Sequence, residues 1–226
     1  MTDRRLYAVL SGDIVESRRF VNRGPAIRDA IKAAYRTCAK AFPEALGEMP
    51  AVDVFAGDSW QMLISSPATA LRVALCMRAL IKAHEALPKV DTRVAIGIGA
   101  VEFIDRENLS ESQGEAFMLS GGALERLRSD GVRLAVALPV QWGEREQVLD
   151  PQQTLAAVMV LLEVVCAGWT KRQAAVVAEA LMGCSQTKAA DELGITQPAV
   201  SQALDAGEWT AIAETVRWWE TWNARL

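Results

Sequence analysis

A single histidine, His84, and four cysteines without any CxxC spacing leave this 226-residue chain little from which to build a zinc centre. Cys38, Cys76, Cys166 and Cys184 are scattered, which predicts reduced and mostly buried thiols. A lone histidine is likewise a poor basis for a catalytic dyad. There is no basic excess: 24 Lys and Arg stand against 28 Asp and Glu, a formal net charge of −4. That excludes a non-specific nucleic-acid coat, so any nucleic-acid contact must come from a local patch. No long hydrophobic run is present either. The longest near-apolar stretch, Leu155 to Val165, contains Glu163 and by itself is too short to span a bilayer. No targeting signal is visible, since the opening apolar run soon reaches Asp13, and the expectation is a cytoplasmic protein with no membrane partner. What remains is ordinary for a globular chain: 51% hydrophobic, 23% charged, 15 Gly and 8 Pro. Disordered, collagenous and disulfide-scaffold classes are excluded.

Periodicity divides the chain in two. In the first part strand and helix signals alternate. Leu6 to Leu10 is an apolar run before Ser11-Gly12-Asp13. Gly24 to Ala41 has helical spacing, with Ile27, Ile31, Ala34 and Cys38 on one stripe. Ala51 to Ala56 and Trp60 to Ile64 flank Gly57-Asp58, a hairpin signal. Pro67 to Ala86 predicts an amphipathic helix, and Asp91 to Phe103 a long strand whose Gly97 and Gly99 imply a close backbone neighbour. Glu115 to Leu127 predicts a helix and Val132 to Leu138 a strand. The opening order is β-α-β-β-α-β, the ferredoxin-like signature, with both helices on one face of the sheet. A right-handed crossover places the third strand between the first two. From about Asp150 strand signals stop. Pro151–Cys166, Lys171–Met182, Thr187–Leu193, Thr196–Leu204 and Glu208–Ala224 are five predicted helices. The expected division is an α+β domain over 1–147 and an all-α domain over 148–226, with the boundary in the charged stretch between Trp142 and Gln152.

The α+β topology brings Asp13 and Asp58 to the same end of neighbouring strands, about 4.8 Å apart by strand spacing. Two such carboxylates suit Mg²⁺ or Mn²⁺ with a nucleotide, because that ion takes one or two carboxylates and fills the rest with water and phosphate oxygens. Arg18, Arg19 and Arg23 follow closely and are candidates for phosphate binding. The same aspartates also fit an ordinary strand-end and turn role.

The segments YAVLSGDIVESRR, DVFAGDSWQMLI, PATALRVALCMRALI and VDTRVAIGIGAVEFI, in this order, resemble the core of class III nucleotidyl cyclases and GGDEF-type palm domains. More closely they resemble the SatD-type family, which pairs such a core with a helix-turn-helix. The resemblance implies a cyclase- or palm-like fold over most of 5–138, a homodimer, and Asp13 and Asp58 as the metal-binding pair. It also marks departures. Val54 stands where adenine-selecting cyclases carry a lysine. The transition-state asparagine has no counterpart, and Arg126 in GGALERLRSD is the arginine nearest the expected position. Ser120 and Gly121 replace the Ala-Arg pair of SatD-like chains. The resemblance therefore implies kept metal ligands but lost base-reading and charge-stabilising groups, which weakens catalysis severely. The expectation is a domain that dimerises and senses a nucleotide, with no catalytic residue assigned.

SQTKAADELGITQPAVSQAL, residues 185–204, reads as a helix-turn-helix. Ser185 and Thr196 are expected N-caps, Gly194 the left-handed turn residue, and Pro198 a first-turn residue. Val200 and Leu204 point inward, which leaves Gln197, Ser201, Gln202 and Asp205 facing out, the start of the second helix toward a major groove. Glutamine reads adenine through paired hydrogen bonds. Lys188, with Lys171 and Arg172, is a candidate for phosphate contact, and Thr196 for the DNA interface. The pattern equally describes a packing hairpin, and residues 151–226 hold five basic against eight acidic residues. The expectation is a transcriptional regulator that binds double-stranded DNA as a dimer. An active nucleotidyl cyclase or related phosphoryl-transfer enzyme is the alternative, and an adaptor that binds neither ligand a third reading.

Overall fold

The computed structural model describes residues 5–20, 22–139 and 150–223, so the expected boundary at 147/148 lies outside the described residues. Five strands form one mixed sheet: β1 (Leu6–Ile14), β2 (Asp53–Phe55), β3 (Ser59–Ile64), β4 (Thr92–Ala100) and β5 (Leu134–Ala137). Their spatial order is β2-β3-β1-β4-β5. β1 lies antiparallel between β3 and β4, and β5 joins β4 in parallel. The first four strands thus have the expected topology, with β3 between β1 and β2.

The strand alternation assigns each face. Ala8, Leu10 and Ile14 of β1, Trp60, Met62 and Ile64 of β3, and Val94, Ile96 and Ile98 of β4 share one apolar cluster. Against it pack α1 (Gly24–Ala41) and α3 (Ala70–Ala83), with the one-turn α2 (Pro43–Leu46) beside them. The α1 stripe read from the sequence is the buried one: Ile27, Ile31, Ala34 and Cys38. The odd-numbered neighbours face the other side, where α4 (Glu115–Asp130) lies over Val9, Leu63 and Ala95. Gly97 has no side chain because α4 leaves no room; a β-carbon there would sit 2.3 Å from the Ala116 carbonyl oxygen.

β1 runs past its apolar stretch through Ser11, Gly12 and Asp13, and these polar residues are buried. A central strand tolerates them because each finds a partner. Ser11 Oγ lies 2.9 Å from Ser120 Oγ on α4 and accepts from Gln61 Nε2 at 3.0 Å.

The last five helices are α5 (Pro151–Gly168), α6 (Lys171–Leu181), α7 (Gln186–Leu193), α8 (Gln197–Ala206) and α9 (Trp209–Asn223). They pack onto α3 and β5, and one apolar cluster runs through both halves of the chain. Trp219 of α9 is buried and donates to the Pro67 carbonyl at 3.0 Å, while Arg72 of α3 grips Glu220. Trp218 and Trp222 stack with ring centroids 6.1 Å apart, one turn from each other. With its flanks the α5 run is longer than the sequence stretch suggested. Its 18 residues, at mean hydropathy 1.4, are enough by length and composition to cross a membrane. Its one charge, Glu163, turns inward to a buried arginine, and Leu155, Met159, Leu162 and Cys166 face the core. The opposite side leaves Val160, Leu161 and Val164 exposed.

Candidate functional site

The end of the sheet holds the two aspartates singled out by the sequence. Register places Asp13 opposite Ser59 on one side and Arg93 on the other. Asp58 follows at the β2–β3 turn, and its carbonyl accepts the Ile14 amide at 3.2 Å. The turn carries strained backbone at Ala56, φ 49°, beside Gly57 at φ 90°, which a glycine adopts freely. Together Asp13, Glu16, Arg18, Arg19, Asp58, Arg93 and Arg128 line an open cleft of about 740 Å³. A second hollow of about 480 Å³ continues past Arg18 and Asp58 to Phe20 and Ile27.

Asp13 is only 5% exposed, and both of its oxygens are engaged. Oδ1 accepts from Arg93 Nη1 at 2.9 Å, and Oδ2 from Arg128 Nε at 2.8 Å. The bond to Asp13 raises the Arg128 pKa against the opposing effect of burial, with help from the charges of Asp13, Glu125 and Asp58. Glu16, itself in the left-handed region at φ 52°, pairs with Arg19, and that hydrogen bond lowers its pKa. Arg128 also pairs with Glu125, so four guanidinium groups meet four carboxylates in and beside the cleft. A bare Mg²⁺ needs an available carboxylate, and here Asp13 is spent on two cations. Asp13 as arranged is committed to guanidinium groups, while Asp58 lines the same cleft.

Three points differ from the sequence expectation. Arg23 does not join Arg18 and Arg19; it donates to the Ala86 carbonyl at 2.8 Å. Arg128, two residues beyond Arg126, is the α4 arginine that reaches Asp13. Arg93 has no place among the sequence candidates, although cross-strand register alone places it opposite Asp13. Removing Arg128 should open the aspartate. We expect Arg128→Ala to bind Mn²⁺ about tenfold more tightly than the unmodified protein, because one positive charge beside the ligand is gone. Titration followed by the electron paramagnetic resonance of free Mn²⁺ reads this out. Equal affinities would show that Arg128 does not occupy the carboxylate in solution.

The second candidate surface is α8. Ser185 caps α7 by accepting the Lys188 amide at 3.2 Å, and Thr196 caps α8 by accepting the Ala199 amide at 3.4 Å. Gly194 between them is left-handed, at φ 63° and ψ 36°, a conformation that costs glycine little. Ala189, Ala190, Val200, Ala203 and Leu204 are buried where the helices meet their neighbours. Lys188, Thr196, Gln197 and Gln202 are exposed and Ser201 half-buried. Gln197 Nε2 donates to Gln186 Oε1, which ties the starts of α7 and α8. Arg172 shares a shallow groove of about 380 Å³ with Gln173 and Gln202. Lys171 is directed elsewhere: its ammonium donates to the His84 and Glu85 carbonyls.

No family model matches the chain, and no curated protein does. Among solved structures, two of a bacterial light-regulated adenylyl cyclase are similar to it at 12% identity and a TM-score of 0.39. They cover 71% and 70% of this chain. The chain spans 58% and 57% of theirs, less than two thirds of their length.

Proposed function

We propose that the protein is a DNA-binding transcriptional regulator whose sheet domain senses a nucleotide or related phosphate rather than turning it over. The observation that carries this reading is the α7–turn–α8 unit. Both helices are capped, the turn glycine is left-handed, and the start of α8 presents Gln197, Ser201 and Gln202 with no acidic residue before Asp205. Such a helix end can enter a major groove, and glutamine pairs with adenine through two hydrogen bonds. Lys188 and Arg172 flank it for phosphate contact.

The acidic average of the chain makes one copy a weak binder, since phosphate contacts supply most affinity. A homodimer doubles them, and the uncharged outer side of α5 offers a surface for a second copy. At the sheet end, the arginines on Asp13 favour ligand sensing over metal-assisted catalysis. Arg18 and Arg19 border the cleft where phosphates would lie, and the adjoining hollow against Phe20 and Ile27 has room for an organic body.

Gln197→Ala/Gln202→Ala is the variant that tests α8. Each bidentate base contact is worth about 1–3 kcal/mol of discrimination. The pair should therefore lose about 30-fold or more in specific affinity while its salt dependence is unchanged. Fluorescence anisotropy on the DNA upstream of the protein's own coding sequence measures both. Undiminished specific binding by the variant would remove α8 as the reading helix.

A further inference from the structure

Away from both surfaces, a partly enclosed cavity of about 550 Å³ lies where α6 begins, beneath the turn that leads into β4. Its wall is part basic and part apolar. Lys82, Lys89, Arg133 and Lys171 supply the charge, and Pro88, Val90 and Trp169 the apolar lining. The volume falls in the range of small-molecule sites.

The one acid in the wall, Asp91, does not neutralise it. Asp91 is buried and accepts from Arg78 twice, from Lys82 at 3.2 Å, from Arg133 at 2.8 Å and from the Thr92 amide at 2.9 Å. Among the described residues the other carboxylate hydrogen-bonded in that network is Glu163, so Arg78, Lys82 and Arg133 outnumber Asp91 and Glu163 by three to two, with Glu16 acting on Arg133 from farther off. Among the described residues Lys171 bonds to two neutral carbonyls, contacts that do not compensate its charge. Lys89 is held in the left-handed region at φ 54°, an unfavourable conformation for a lysine at a cavity wall. Positive charge therefore exceeds negative around an accessible cavity, which is the arrangement a dianion stabilises.

Trp169 connects this cavity to the far end of α8. Its ring is nearly buried, and Nε1 donates to the Gly207 carbonyl at 3.0 Å, just past the α8 terminus. Two residues into α6, Gln173 Nε2 donates to the Ala206 carbonyl at 3.2 Å.

We propose that this cavity is an effector site for a small phosphate monoester, with the phosphate on Lys89, Arg133 and Lys171 and the organic part against Trp169, Pro88 and Val90. A ligand there touches the residues that anchor the end of α8, so occupancy is coupled to the orientation of that helix. Binding itself does not depend on the regulator reading; only its consequence for α8 does.

The test is a titration of the ¹⁵N-labelled full chain with phenyl phosphate and with inorganic phosphate. The Trp169 indole N–H resonance, assigned through Trp169→Phe, is the readout. It reports on this cavity and not on the sheet-end cleft. We expect a saturable shift with both probes and tighter binding of phenyl phosphate, because only the ester has a body to place on the ring. Lys89→Ala/Lys171→Ala should weaken binding by at least about tenfold while its circular dichroism and Tm match those of the unmodified chain. No saturable shift up to about 10 mM of either probe would overturn the proposal, as would equal affinity in the double variant. Loss of DNA binding in a chain whose Trp169 resonance still saturates would count against the regulator reading and leave the cavity assignment standing.

Discussion

Arg78→Met is expected to cost the fold about 3–5 kcal/mol, because it strands a buried carboxylate rather than deleting a surface pair. Arg78 projects from α3 and is fully buried. Nε and Nη2 reach the two oxygens of Asp91 at 2.9 and 3.0 Å, and Nη1 reaches Glu163 at 2.6 Å. It thereby joins α3, the start of β4 and α5 at one point. Without it Asp91 keeps Lys82 and Arg133, but Glu163 loses its ion-pair partner in a largely buried place. Urea unfolding at pH 7 measures the loss. Adding Glu163→Gln to Arg78→Met should restore part of it, since the stranded charge is then removed. A single variant within 1 kcal/mol of the parent would show that water replaces the guanidinium at little cost.

The same network fixes a pH dependence. Burial pushes the Asp91 carboxyl up, but the Arg78 hydrogen bonds and charge outweigh it, with Lys82 and the Thr92 amide adding to them. The pKa is held at about 2, against an ordinary value of 3.8. A lowered carboxylate pKa stabilises the fold above the unfolded value. That contribution, about 2 kcal/mol, is lost as pH falls from about 4 to about 2. In Arg78→Met the slope of stability against pH over that window should flatten.

Gly97→Ala is the second large effect, expected at about 3 kcal/mol or more. The added β-carbon would lie 2.3 Å from the Ala116 carbonyl oxygen and 2.4 Å from the Ser120 amide nitrogen. Both are backbone atoms in the first two turns of α4, so relief requires that end of the helix to move off β4. Gly122→Ala on the same helix is the control. Its β-carbon meets only Arg126 Nη1, at 3.8 Å, so the change should stabilise by about 0.5–1 kcal/mol through helix propensity. Equal stabilities for the two variants in urea would contradict the close packing of α4 on Gly97.

Much of this arrangement is legible in the residues. Helical spacing marks α1 from Gly24 to Ala41, and Gly57-Asp58 between two β-prone runs marks the hairpin. Ser185, Gly194 and Thr196 announce the α7–α8 turn because caps and left-handed glycines are local chemistry. What escapes is non-local. Periodicity does not say that α4 covers the face opposite α1 and α3, though Gly97 and Gly99 point to a close neighbour. The polar Ser11-Gly12-Asp13 reads as a strand end, yet cross-chain partners keep it inside the sheet. Arg93 and Arg128 become visible only once register and helix rotation are fixed, and they alter the meaning of Asp13. Glu163 interrupts an apolar run for a reason that lies on another helix.

The most direct test of the regulator account is a titration of the unmodified protein against the duplex upstream of its own coding sequence. An unrelated duplex of equal length serves as competitor, at two salt concentrations. The account predicts preferential binding of the upstream duplex by about 10³-fold or more, weakening as salt rises. Equal affinity for the two duplexes, or no binding at the lower salt, would contradict it and return α7 and α8 to a packing role.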